Sequence, residues 1–355
     1  MNALKVRHMR VAFFPYSTNG VSYISSIQQM LQQKYEIVNF DHLRKGAWRL
    51  AEIDCIYLNW IEGYMEDGDT DILKGAKDYG TKIIWVFHNK LPHICRDDDE
   101  DLKRIKFLSE IADVIILHSH NSEAVLMGYF ENAFEGIRRK LRYLPHPNYI
   151  NDYRAYKYPL NNEIPQCEDD KLTFAFIGRI RPYKNVDILI KAFNSIGDNT
   201  DSRLLLAGGI HPNDYRKKIE NLLNDRDDIV LFPYDIGSME MARFLGMADV
   251  IVLPYSLRSS MNSGSMMMAF SYHKTVIIPD ICMADDFPDE QIFMYHYDSA
   301  EEHVERLKDS MMTAYALGTV KLKEKGDRLY NLVEKDYSKE KVQETLYEIV
   351  DNLRG

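Results

Sequence analysis

LTFAFIGRIRPYKNVDILIKAF, residues 172–193, decides the fold. Its opening run of Leu172, Phe174, Phe176 and Ile177 is short and apolar, the mark of a buried strand. The run stops at Gly178, and from Asn185 onward Val186, Leu189, Ile190 and Phe193 recur on one helical face. The loop between them carries Arg179 and Lys184, with Pro182 stiffening it and Gly178 letting the backbone approach whatever binds there. A bidentate guanidinium and an ammonium beside a helix N-terminus suit a diphosphate. On residue types alone the pair fits an ordinary surface loop equally well.

The same alternation extends in both directions. Downstream, RLLLAGG (203–209), IVLFPY (229–234), DVIVLPY (249–255) and TVIIPD (275–280) read as strands separated by helix-length segments. Upstream, MRVAFF (9–14), YEIVNF (35–40), DCIYLNW (54–60), KIIWVFHNKLPH (82–93), DVIILHS (113–119) and KLRYLPHP (140–147) do the same. Strands alternating with helices imply parallel sheets covered on both faces. The weak pattern around 151–171, with its prolines and acidic run, reads as a linker. The expectation is therefore an α/β protein of two Rossmann-like domains, 1–150 and 172–337. A terminal helix over 338–353 is opened by a Ser cap.

A length of 355 residues suits two domains with their own cores. With 45% hydrophobic and 28% charged residues the chain is globular rather than disordered. A net charge of −10 argues against nucleic acid as a general partner. Cys55, Cys95, Cys167 and Cys282 form no CxxC pair or metal spacing and read as reduced cytoplasmic thiols. No stretch has the length of a membrane span, so membrane contact is expected to be peripheral, on the inner face. The basic, partly apolar patch of Phe134, Ile137, Arg138, Arg139, Lys140, Leu141 and Arg142 fits that contact, and fits a solvated helix end as well.

Further candidates sit at strand ends, where open α/β sheets bind ligands. Gly20, at the first βα junction, serves either a ligand or a turn. His88 and Asn89 follow the strand ending in WVF, and His93 and His146 are placed to share their surroundings. After DVIVLPY, the turn Asn262, Ser263, Gly264 and Ser265 precedes a Met-rich helix, so N–H groups and hydroxyls leave a helix N-terminus where phosphate oxygens bind. An N-cap turn that binds nothing has the same residues.

Gly178-Arg179, Pro182 and Lys184 resemble the Gly-Arg…Pro-x-Lys loop of glycosyltransferase family 4 and its GT-B relatives. The resemblance runs over most of the chain and is strongest from 172 to 279. It implies two domains facing across a cleft, with the C-terminal helix crossing back to the N-terminal domain. It further implies that Arg179 and Lys184 grip the diphosphate of a nucleotide-sugar donor and that His88 lies near the reacting sugar and the acceptor. The acceptor is then a saccharide or lipid-linked saccharide, in cell-surface polysaccharide or glycoconjugate synthesis. Transfer by a hexosyltransferase of this kind retains the anomeric configuration and needs no metal cofactor. Asp67 with Asp69, and the run Asp97 to Asp101, resemble the Asp-x-Asp of another glycosyltransferase fold but read as solvated faces or a helix start. The chain departs from family 4 where a pair of glutamates is usual: Ser260 and Met268 stand there, which marks a divergent branch. A nucleotide-sugar 2-epimerase and a non-catalytic nucleotide-sugar-binding protein share the architecture.

Overall fold

The structure, a computed structural model, describes residues 8–18, 20–46, 48–92, 98–130, 134–153, 171–196, 200–223 and 226–354. His93 and most of the expected linker, 154–170, lie outside the described residues. The chain divides into two compact units, one of Met1–Pro147 with Lys339–Gly355 and the other of Asn148–Ser338.

In the first unit, β1 (Arg10–Phe14), α1 (Tyr23–Gln32), β2 (Glu36–Asn39) and a one-turn α2 (Asp41–Arg44) lead to β3 (Cys55–Asn59) and α3 (Asp69–Asp78). Then come β4 (Lys82–Val86), α4 (Asp98–Ile111), β5 (Val114–Leu117), α5 (Ser122–Met127), α6 (Phe134–Arg138) and β6 (Leu141–Tyr143). The strands pair in parallel in the order β2-β1-β3-β4-β5-β6. β3 and β5 are buried throughout, because helices cover both faces of a parallel sheet and leave no place for alternating polar residues.

The second unit repeats the plan with β7 (Leu172–Ile177), α7 (Val186–Asn194), β8 (Ser202–Ala207), α8 (Asn213–Leu222), β9 (Ile229–Phe232) and α9 (Ser238–Met247). It continues through β10 (Val250–Val252), α10 (Gly264–Ser271), β11 (Thr275–Pro279), β12 (Phe293–Tyr295) and α11 (Ala300–Asp336), which is kinked at Gly318. Its parallel order is β12-β11-β10-β7-β8-β9, so the chain reverses direction across the sheet between β7 and β10. The structure differs from the sequence reading in adding β12 as a sixth strand and in ending several strands early: DVIVLPY is strand only at Val250–Val252, with Leu253–Tyr255 running on as loop, and KLRYLPHP only at Leu141–Tyr143.

The last helix, α12 (Lys339–Asp351), belongs to the first unit although it follows the second in sequence. Val342, Leu346, Ile349 and Val350 join the core of Ile27, Met30 and Leu31 on α1. Burying each such side chain contributes about 1.5 to 3 kcal/mol. Polar contacts fix the register: Tyr347 Oη donates to the Met30 carbonyl at 2.7 Å, and Tyr35 Oη to Asp351 Oδ1 at 2.9 Å.

Candidate functional site

Ligands of open α/β sheets bind beyond the carboxyl ends of the strands, at the point where strand order reverses. In the second unit that point lies between β7 and β10. The loop after β7 holds Gly178, Arg179 and Lys184, and the loop after β10 runs through Tyr255 to Ser265. The two constellations singled out in the sequence therefore flank one point. A Cβ on Gly178 would come within 3.9 Å of Ser265 Oγ, so the glycine faces the start of α10.

Glycine is required here by close approach. The Gly208 backbone, at φ +154°, passes so near β7 that a Cβ would stand 1.9 Å from the Gly178 carbonyl oxygen. The two loops then zip together: Ile180 N–H donates to Gly209 O at 2.9 Å and His211 N–H to Ile180 O at 3.0 Å. Ser256 N–H donates to Tyr183 O at 3.0 Å, tying the β10 loop to the same frame.

Arg179 is exposed and Lys184 is half-buried. Neither has a carboxylate in ion-pair range among the described residues. Lys184 Nζ instead lies 4.9 Å from the Tyr255 ring centre, 5.8 Å from Tyr183 and 5.9 Å from Phe176, and donates to Tyr255 Oη at 3.4 Å. Burial works against its charge, but Tyr255 and Tyr183 outweigh burial and hold its pKa above the ordinary lysine value. The ammonium is thus charged, aromatic-caged and without a counter-ion among the described residues. An arrangement of that kind is relieved by an anionic ligand.

Ser263 caps α10, accepting from Met266 N–H at 3.0 Å, while its hydroxyl donates to Tyr255 Oη at 3.3 Å and its N–H to Met283 Sδ at 3.3 Å. Its polar groups are committed to the fold, which leaves Gly264 and Ser265 with the N–H groups that no helical carbonyl can accept. Asn262 is half-buried just ahead of them. Ser260 and Met268 are 2% and 5% exposed, and the buried Ser260 Oγ has no hydrogen-bond partner among the described residues. Tyr255, which links Lys184 to Ser263, was missed in the sequence because it looks like the end of an apolar strand.

The corresponding end of the first unit is built differently. His88, His118 and His146 follow β4, β5 and β6 and converge on Tyr23 of α1, whose ring centre lies 5.0, 4.9 and 5.0 Å from theirs. His88 is only 3% exposed and stacks on Trp60 at 4.2 Å. Its Nε2–H donates to Asn59 Oδ1 at 3.1 Å, and Asn59 in turn donates to the Phe14 carbonyl at 2.9 Å. The sequence presented this ring to a ligand, and the structure holds it in a packed cluster. Burial drives the pKa of His88 well below the ordinary histidine value, with His118 and His146 adding to the effect. Burial likewise brings His118 down to about 4 and His146, also 4% exposed, to about 3. All three rings are neutral near pH 7, and Nδ1–H donates to the carbonyls of Leu144 and Pro147 from His118 and His146. Asn89 is buried beside His88 in sequence, and Gly20 is exposed at φ +97° ahead of the Ser22 cap of α1, the geometry of a turn.

Part of the basic patch has partners within the fold, while Arg139 and Arg142 are exposed. Ile137 is buried, Lys140 Nζ donates to the carbonyls of Ser109 and Glu110, and Arg138 pairs with Glu123. No helix among the described residues is long and apolar enough to cross a membrane. No group of three His, Cys, Asp or Glu side chains suited to a metal ion occurs among them either.

Residues 171–311, which contain the whole of this anion-seeking end, match the family Glycosyl transferases group 1. Over those residues the chain is similar to the group 1 glycosyl transferases. Its architecture is the GT-B fold, shared with HepE of Anabaena, solved with UDP and glucose (TM-score 0.71, 12% identity, 97% of this chain and 100% of that one). It is similar also to trehalose 6-phosphate synthase of Burkholderia multivorans (TM-score 0.67, 12% identity, 98% and 96% covered). Sucrose-phosphate synthase of Thermosynechococcus elongatus is a further match (TM-score 0.65, 16% identity, 88% and 75% covered). No curated protein matches the sequence. At such identities the structural likeness speaks for the fold, and the group 1 match for the second unit.

Proposed function

We propose that this protein transfers a hexosyl group from a nucleotide diphosphate sugar to a saccharide or lipid-linked saccharide, with retention and without a metal. The carrying observation is the pair of cations Arg179 and Lys184, without counter-ions among the described residues, at the strand-order reversal of the second unit beside the α10 N-terminus. As the nucleoside diphosphate leaves, negative charge grows on the β-phosphate. Cations and N–H groups already fixed around that position stabilise the transition state more than the ground state. Their positive charge does the work of a divalent cation, which is the basis for metal independence. HepE, with the same fold, was solved with UDP-glucose, which supports a uridine nucleotide as the first donor to try.

The test is sugar transfer from a panel of nucleotide sugars by the wild type and by Lys184→Ala. Loss of transfer in the variant supports the reading, and undiminished transfer ends it. One observation favours a second reading: Ser260 and Met268 supply no carboxylate where family 4 has two. A non-catalytic nucleotide-sugar-binding protein would show donor binding by calorimetry with no turnover on any acceptor.

A further inference from the structure

We propose that Tyr255 donates its phenol proton to the same anionic oxygen that Lys184 binds, and that Tyr297 positions it. This inference rests on the diphosphate site proposed above and assigns that site a third side-chain donor. Tyr255 is 4% exposed, and its Oη receives two donors, Lys184 Nζ at 3.4 Å and the Ser263 hydroxyl at 3.3 Å. With both of its lone-pair directions used in accepting, the phenol proton points away from them. No acceptor for that proton occurs among the described residues. A buried hydroxyl that accepts twice and donates to nothing is completed by an acceptor from outside the protein. Because Nζ and Oη are within hydrogen-bond distance of one another, an oxygen bound by the ammonium is also within reach of the phenol.

The tyrosine is held from behind. Tyr297 Oη donates to the Tyr255 carbonyl at 2.9 Å and accepts from Leu257 N–H at 3.0 Å, spanning the loop two residues apart. The Tyr297 ring in turn lies flat on His303 of α11 at 3.7 Å, and His303 Nε2 meets Tyr295 Oη at 3.0 Å. One hydroxyl therefore fixes the backbone on both sides of Ser256, and the stacked imidazole fixes the hydroxyl. Among the described residues Tyr297 hydrogen-bonds only the backbone of Tyr255 and Leu257, so its role is positioning.

The experiment compares calorimetric binding of UDP and of uridine to the full chain as wild type, Lys184→Ala, Tyr255→Phe and Tyr297→Phe, with thermal melting of each. Tyr255→Phe keeps the ring under the ammonium and removes only the hydroxyl. It should weaken UDP about tenfold or more, the scale of one lost hydrogen bond to a charged group, and leave uridine unchanged. Tyr297→Phe should weaken UDP by a smaller factor in the same direction, again without affecting uridine. A merely structural role would lower melting temperature and weaken both ligands together, which would overturn the proposal. If Lys184→Ala loses UDP while Tyr255→Phe binds it as the wild type does, the third donor is refuted and the diphosphate site stands. If the wild type binds no nucleoside diphosphate, both fall.

Discussion

The two sheets end in opposite chemistry. Beyond β7 and β10 of the second unit, Arg179 and Lys184 have no carboxylate in ion-pair range among the described residues. Beyond β4, β5 and β6 of the first, three histidines, a tyrosine and a tryptophan are stacked and hydrogen-bonded into a neutral cluster. Both places obey the rule that puts ligands at strand ends, yet they leave different things unfinished: the second unit leaves charges without a carboxylate among the described residues, whereas the first leaves only a neutral ring nitrogen, His118 Nε2, without a hydrogen-bond partner among them. Position at a strand end is thus a weaker pointer than an unanswered charge, because a fold that needs a charge for its own stability supplies its partner.

The contrast breaks first at Lys184. Lys184→Ala should lower transfer by about two to three orders of magnitude, the scale of removing one fixed donor from developing negative charge, while melting stays level or rises. Arg179→Ala should follow with a smaller loss, since its exposed guanidinium is better screened. A fall in melting temperature matching the loss of activity would show that these cations support the fold, and the contrast would be void.

Acid should act on the other sheet. Each buried histidine has a folded pKa below its unfolded value near 6.5, so the unfolded chain binds the extra proton. Their contribution is complete above pH 6.5 and is lost as pH falls toward about 4 for His118 and lower for His146. The loss from His118 alone is about 3 kcal/mol at the end of that window. Denaturant melts monitored by Trp60 and Trp85 fluorescence from pH 7 to about pH 4 follow it. A flat profile over that range would mean the rings are not buried.

The smallest effects come from charges that are already paired. His296, beyond β12, sits between Asp280 at 2.8 Å and Asp298 at 3.2 Å, and hydrogen bonds to these two raise its pKa. Its contribution is present at low pH and disappears as pH rises through that raised value, and exposure makes it slight. His296→Ala should leave donor binding unchanged. Transfer should also be unaffected by a chelator, and restoration by added magnesium after chelation would refute the substitution of fixed cations for a metal.

Much of this was legible in the sequence because it is local. The strand, glycine and helix of 172–193 appear in the structure as β7, Gly178 and α7, and the parallel order follows from alternation. Arg179, Lys184 and Ser265 could be singled out because a short loop and a helix start reveal themselves in a few residues. Tyr255 was not, since its partner Lys184 is 71 positions away and only the pairing of β7 with β10 unites them. The burial of His88 was not legible for the related reason that a strand end shows where a side chain begins and not what covers it. The three-residue β12 was too short to carry a periodic pattern.

The most direct measurement is a crystal structure of the protein soaked with UDP. The account predicts the β-phosphate within hydrogen-bond distance of Lys184 Nζ and Tyr255 Oη, with the Arg179 guanidinium turned onto it. A nucleotide bound elsewhere, with Lys184 still facing only aromatic rings, would contradict it.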